Sequence, residues 1–233
     1  MSLLPLQLDT HDARLPIVYS FRRCPYAIRA RMALRYAGIV YELREVLLSA
    51  KPAAMLQASA KGTVPVMCLP DGRIIDESID VMVWAVQQNV QQSEDPQDWY
   101  PDELHQLTEA LVNANDQEFK THLDHYRYWE RFPQYTQSHY RQQAEVFLLQ
   151  LEEHLSQSRF LLAQQSTLAD VAIFPFVRQF AFVDKSWFDQ APYAKLQAWL
   201  HGLLQSDLFL QVMQKQPFWQ QGDPPVYVTH EQS

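Results

Sequence analysis

An apolar run from Leu15 to Tyr19 stops at Phe21-Arg22-Arg23, and Cys24-Pro25-Tyr26-Ala27 takes over with a helical pattern. A strand that ends and hands a cysteine to the first turn of a helix leaves the chain little freedom. Proline suits the first helical position, where its missing N–H has no intrahelical partner to lose and its fixed φ is already helical. Cys24 then falls at the N-cap, beside unpaired N–H groups and the positive end of the helix dipole. Such a place favours thiolate over thiol, and cysteines at helix starts reach pKa values of about 3.5–7.5. Arg22 and Arg23 add positive charge nearby. Two readings are open here: a reactive cysteine, or a small residue packing the strand–helix junction, as buried free cysteines commonly do.

Downstream, Ala27, Ala30, Leu34 and Ala37 recur at helical spacing, Arg29, Arg31 and Arg35 put charge off that face, and Gly38 ends the helix. Tyr41 to Leu48 partly alternates and reads as a second strand, so strand–helix–strand predicts a parallel pair with a right-handed crossover. After a short helical patch at Pro52 to Ala60, the run Gly62 to Leu69 meets Asp71-Gly72, a strong hairpin signal, and Arg73 to Asp76 returns antiparallel. Ser78 is expected to cap a helix with Ile79, Met82, Val83, Val86 and Val90 on its apolar face.

Residues 91–101 turn polar and hold Pro96 and Pro101, which reads as a linker. Every later stripe is helical. Leu104, Leu107 and Leu111 open a helix running towards Trp129, and Tyr140 to Leu155 forms a second. Thr167-Leu168-Ala169-Asp170 is a capping-box variant opening the apolar stretch Val171 to Phe182. Tyr193 to Leu203 and a short helix near Leu208 to Met213 follow. The tail after Pro217 has aromatics but no period, and residues 1–14 read as a leader. The residues predict an α/β domain over 15–90, a linker over 91–101 and an all-α domain over 102–233.

Composition narrows the function. A net charge of −8 leaves no basic excess to neutralise phosphates, so nucleic acid is not an expected partner. Five glycines occur and none lies in a phosphate-binding fingerprint. No apolar run reaches the length of a membrane span. Asp9, His11, Asp12 and Arg14 interrupt any secretory h-region. Two cysteines, Cys24 and Cys68, are too few for a disulfide framework, which points to a reducing cytoplasm. His122 and His125, with Asp116, Glu118 and Asp124, lie in one helix that offers only two well-placed metal ligands, so no metal site is expected.

With these residues in view, the chain resembles the cytosolic glutathione transferase family and, within it, the omega-like branch with a cysteine at the active position. Cys24-Pro25-Tyr26-Ala27 is similar to the omega-type Cys-Pro-aromatic-Ala helix start. Val64-Pro65 resembles the family's cis-proline, Glu77-Ser78 its acidic-Ser pair, and Thr167 to Asp170 its capping box in the second domain. The resemblance implies a thioredoxin-like βαβ-ββα domain followed by an all-helical domain. It also implies a glutathione site made by Cys24, Pro25, Tyr26, Leu48, Lys51, Val64, Pro65, Glu77 and Ser78. Val64 would pair with the cysteinyl part of glutathione as a strand edge does, and Ser78 at its helix start would take the γ-glutamyl carboxylate. Glu77 would take the amine, and Leu48 and Lys51 the glycyl end. Tyr26 stands where the family has phenylalanine.

The implied activity is glutathione-dependent thiol transfer on mixed disulfides or dehydroascorbate, with weak conjugation of electrophiles and Cys24 as the catalytic residue. Glutathione is the co-substrate, a small thiol, disulfide or electrophile its partner in reaction, and a homodimer the expected assembly. Ala27 replaces the second cysteine of a Cys-x-x-Cys pair, so the chemistry is monothiol. Tyr126, Tyr128 and Trp129 are candidates for the co-substrate wall, with a core or surface role equally open. The alternative function is a non-catalytic interaction or regulatory protein that keeps the fold.

Overall fold

The computed structural model describes residues 14–92 and 98–229. All of the expected 1–14 leader except Arg14, and residues 93–97 of the expected linker, lie outside the described residues. The chain divides into two compact units. One runs up to Asn89 and takes in the residues from Val212 onward; the other spans Val90–Gln211.

The first unit is built on a mixed five-stranded sheet. Strand β1 (Ile17–Ser20) leads into α1 (Pro25–Tyr36), and β2 (Tyr41–Glu45) returns parallel to β1, with Ile17 opposite Glu42. The parallel pair follows because β1 and β2 are separated by a helix, the connection such a pair requires. A short α2 (Ala53–Ala58) precedes β3 (Val66–Cys68) and β4 (Ile74–Ile75). These two form the hairpin that Asp71-Gly72 predicts, with Gly72 at φ +87°, a conformation that costs a residue with a Cβ. Helix α3 (Ser78–Gln92) begins at Ser78 itself, so Ser78 is its first helical residue rather than its cap. Val18, Ala27, Ala30, Leu34 and Val66 are buried, so the predicted face of α1 meets the core; on α3 the core face is Val81, Met82, Ala85 and Val86, turned from the predicted one, with Ile79 and Val83 half-buried.

Strand β5 (Val226–Val228) is an element that periodicity missed. It runs antiparallel to β2 and completes the order β4-β3-β1-β2-β5. Residues from Val212 on, read in the sequence as the end of the helical domain, therefore group with the sheet. Trp219 anchors this return: its N–H donates to the Glu45 carbonyl at 2.8 Å and its ring meets Tyr19 edge-on at 6.1 Å. The Arg44 guanidinium lies 4.3 Å from the Trp219 ring centre. An isolated strand of three residues has no legible period, and its pairing partner is far away in sequence.

The second unit is helical. The helix expected from Leu104 to Trp129 is α4 (His105–Asn113), a π-helical stretch at Ala114–Phe119 and α5 (Lys120–Arg127). Helix α6 (Gln137–Gln157) buries the predicted stripe of Tyr140, Ala144, Phe147, Leu148, Leu151 and Leu155. Helix α7 (Leu168–Ala181) opens on a true capping box and is apolar all round because it is the centre of this unit's core. Helices α8 (Lys185–Gln190), α9 (Ala194–Leu204) and α10 (Asp207–Val212) follow, α8 having gone unread. Trp99 is buried and its carbonyl accepts the Leu168 N–H at 2.7 Å, so the end of the expected linker is fastened to the start of α7.

Candidate active site

Cys24 is the N-cap of α1, with φ −72° and ψ 123°. Its N–H donates to the Phe21 carbonyl at 3.0 Å, closing the turn out of β1, and its carbonyl accepts the Ile28 N–H at 2.9 Å. Its side chain does not cap the helix. The thiol instead faces the Val64 carbonyl across 3.7 Å, and the Val64–Pro65 peptide is cis. A helix start and a loop forty residues later thus meet at the sulfur.

The loop that carries Cys24 is held from two sides. The Arg22 N–H donates to Glu45 Oε1 at 2.7 Å, and the Arg22 carbonyl accepts from Arg31 Nη2 at 2.9 Å. Arg31 also donates to the carbonyls of Val212, at 2.7 Å, and Ala27, at 3.2 Å. Burial pushes the Arg31 guanidinium down from its usual range, against the opposing pull of Tyr41, Glu45 and Cys24. Burial likewise pushes the Glu45 carboxyl up, opposed by the Arg22 N–H and the charge of Arg31.

Arg29 and Arg31 correct the sequence reading. Periodicity put them on a charged face away from the apolar stripe, yet they are only 1% and 2% exposed. A buried guanidinium needs its donors satisfied, and Arg29 Nε donates to Ser78 Oγ at 3.0 Å. The Arg29 guanidinium also lies 5.0 Å from the ring centre of Tyr26. Ser78 is itself 3% exposed.

Glu77 is exposed and faces a partner that sequence reasoning missed. Lys61 Nζ donates to Glu77 Oε1 at 2.5 Å and to Asp76 Oδ1 at 3.0 Å, while Ser59 Oγ donates to Asp76 Oδ2 at 2.6 Å. Hydrogen bonds from Ser59 and Lys61 hold the Asp76 carboxyl below its usual value, and Glu77 with Asp76 raises Lys61. The available signal was adjacency: Asp76 precedes Glu77, and Lys61 opens the loop to Val64.

Lys51 reaches the same loop, its ammonium 3.7 Å from where a Cβ on Gly62 would stand. Gly62 has φ +61° and needs to be glycine. Leu48 is 43% exposed in the turn after β2. Pro25 is buried in the first turn of α1. A cavity of about 210 Å³ lies between the start of α2 and the tail, lined by Ala50, Pro52, Ala53 and Trp219, and takes in none of the predicted site residues. Cys68 sits half-buried on β3, and burial pushes its thiol up against the pull of Arg44.

Among the described residues no group of three or more His, Cys, Asp or Glu side chains could hold a metal ion. The His125 ring packs tilted against Phe132, at 4.1 Å between ring centres, and against Tyr140. Tyr126 is a core side chain against Phe180, whereas Tyr128 and Trp129 are partly exposed.

A thioredoxin-like sheet unit and a unit made of helices, in this order along the chain, are the architecture of the glutathione transferase fold. Residues 18–93 match the model of the glutathione S-transferase N-terminal domain and residues 109–202 that of its C-terminal domain. The chain belongs to the glutathione S-transferase family. It is 39% identical over 62 residues to glutathione S-transferase omega-1 of Rattus norvegicus, a stretch covering 27% of this chain and 26% of the rat protein. The match therefore spans about a quarter of that relative's length. Among solved structures, a glutathione transferase family member from Pseudomonas fluorescens, crystallised with two glutathione bound, superposes with a TM-score of 0.73. Its identity is 15%, over 88% of this chain and 94% of that one. BphK, a bacterial GST solved as a ternary complex, gives 0.69 at 22% identity, over 84% of this chain and 97% of its own. Among the described residues no helix is long and apolar enough to cross a membrane.

Proposed function

We propose that this chain is a cysteine-type, omega-like glutathione transferase whose main reaction is glutathione-dependent thiol transfer. The observation that carries the reading is the approach of Cys24 Sγ to the Val64 carbonyl at 3.7 Å, a helix-start cysteine facing a main-chain carbonyl of the loop just before β3. The cysteinyl N–H of glutathione would donate to that carbonyl, replacing the thiol and leaving Cys24 to ionise at the positive end of α1. The γ-glutamyl carboxylate would meet the Ser78 hydroxyl and N–H at the start of α3, and its amine Glu77, displacing Lys61. Lys51 and Leu48 would flank the glycyl end. The glutathione bound in the Pseudomonas fluorescens relative supports the choice of ligand.

In the proposed cycle the Cys24 thiolate attacks the glutathionyl sulfur of a mixed disulfide. A Cys24–glutathione disulfide forms, and the substrate leaves as a thiolate that takes a proton. A second glutathione thiolate then attacks the bound glutathionyl sulfur, releasing glutathione disulfide and restoring the Cys24 thiolate. Dehydroascorbate is the other acceptor class in this reading, and conjugation to electrophiles a weak side activity. A homodimer in a reducing cytoplasm completes it, supported by family membership and by Cys24 and Cys68 being free thiols.

Incubation with glutathione disulfide tests the mechanism. Intact mass and peptide mapping are expected to find one glutathionyl group, on Cys24, that excess glutathione removes. Modification of Cys68 alone, or none, would sink the cysteine mechanism. No retention on glutathione resin either would favour the interaction-protein alternative. Alkylation gives a second readout. Burial holds Cys68 in the thiol form as pH rises towards its raised value, so iodoacetamide at neutral pH is expected to label Cys24 at least about tenfold faster. Equal rates at the two sites would contradict the activation of Cys24.

A further inference from the structure

We propose that Arg29 is a positioning residue for the carboxylate end of the bound tripeptide, acting through Ser78; this rests on the reading of Ser78 as a glutathione contact. A serine hydroxyl has one proton to give and two lone pairs to offer. Arg29 Nε fills one lone pair at 3.0 Å, so the Ser78 proton points elsewhere. Ser78 is 3% exposed, and the bond from Arg29 leaves its hydroxyl proton to be given to another acceptor. A buried hydroxyl held by a cation at the first residue of a long helix is placed to donate to a carboxylate. The positive end of α3 and the Arg29 cation behind the hydroxyl both favour an anion there.

The cation does more than fill space. Arginine stays charged in proteins, and burying it is costly unless its surroundings use the charge. Arg29 polarises the Ser78 O–H, which makes that group a stronger donor to a carboxylate than a neutral neighbour would. The same guanidinium lies 5.0 Å from the Tyr26 ring centre, two residues from Cys24. One buried side chain therefore ties the first turn of the cysteine helix to the start of α3.

The test compares glutathione with an analogue in which the γ-glutamyl α-carboxylate is replaced by hydrogen. Binding is measured by calorimetry for the wild type, Ser78→Ala, Arg29→Met and Arg29→Lys. Arg29→Met is expected to weaken glutathione by about tenfold or more, the scale of a lost charge-assisted hydrogen bond. It should leave the affinity for the analogue within about twofold. Iodoacetamide labelling of Cys24 without glutathione reads whether the change disturbs the cysteine turn itself, and a change below about twofold is expected, since Arg29 bonds Ser78 rather than the thiol. Equal weakening of both ligands would overturn the proposal and leave Arg29 a general structural residue. If Ser78→Ala discriminates between the ligands but Arg29→Met does not, the Ser78 reading stands and the Arg29 role falls. If neither discriminates, both fall. Should Arg29→Met fail to fold, Arg29→Lys decides. It keeps the charge and loses the fork, so a loss of about threefold or more confined to glutathione supports the role, and no selective loss overturns it.

Discussion

Replacing Cys24 with alanine is expected to lower glutathione-dependent mixed-disulfide reduction by about three orders of magnitude or more, the scale on which loss of a nucleophile acts. Glutathione affinity should stay within about threefold, because the proposed main-chain and carboxylate contacts fall on Val64 and Ser78 rather than on the sulfur. The two quantities separate the two roles a helix-start cysteine can play. A cysteine that only packs the junction would leave turnover in place and lower stability instead. Cys24→Ser sharpens the contrast, since its hydroxyl can still donate to the Val64 carbonyl and fill most of the thiol's volume. A hydroxyl does not ionise near neutral pH, so the serine variant should be as inactive in exchange as the alanine one. Retention of more than about a tenth of wild-type exchange in Cys24→Ser would rule out the thiolate mechanism.

The second large effect is on stability and lies in the helical unit. Asp170 is fully buried and its carboxylate collects four donors. The Leu161 N–H, the Thr167 N–H and the Thr167 hydroxyl approach at 2.9 Å each, and the Trp199 indole N–H at 2.8 Å. One side chain thus caps α7, holds the loop before it and fixes α9 against it. Asp170→Ala removes the acceptor from all four, and a buried donor left unpaired costs about 1–3 kcal/mol. The losses do not add fully, so an overall destabilisation of about 3–5 kcal/mol is expected. Urea unfolding followed by far-ultraviolet circular dichroism measures it, with a midpoint shift at constant slope as the sign of a pure stability effect. Asp170→Asn should lose less, since it keeps one carbonyl oxygen. A loss below about 1 kcal/mol in the alanine variant would mean that the four bonds are replaced by water.

Much of this architecture was legible one element at a time. The stripes Tyr140 to Leu155 and Tyr193 to Leu203 are buried residue for residue as their spacing predicts. The Asp71-Gly72 hairpin, the Thr167 to Asp170 capping box and the proline after Cys24 are equally local signals. Each depends on a few consecutive residues, and so each can be read without knowing what surrounds it. Strand lengths were read too long, β2 ending at Glu45 rather than Leu48, because the apolar residues Val46, Leu47 and Leu48 continue past the last strand residue.

The candidate site was legible in kind and not in its connections. Cys24 at a helix start follows from five residues, and the helical positive end follows from the backbone alone. That this sulfur faces the Val64 carbonyl, and that Glu77 meets Lys61, depends on how separate loops come together. The arginines show the difference most clearly. On a helical wheel Arg29 and Arg31 are simply charges off the apolar stripe, and nothing local says what lies over them. Their cover comes from Ser78, 49 residues later, and from the Val212 carbonyl, 181 residues later. Periodicity tells which side of a helix is apolar, but burial of a charge is decided by whether distant groups arrive to satisfy it. At Cys24 a few consecutive residues place the sulfur at a helix start, and tertiary contacts alone set what that sulfur faces.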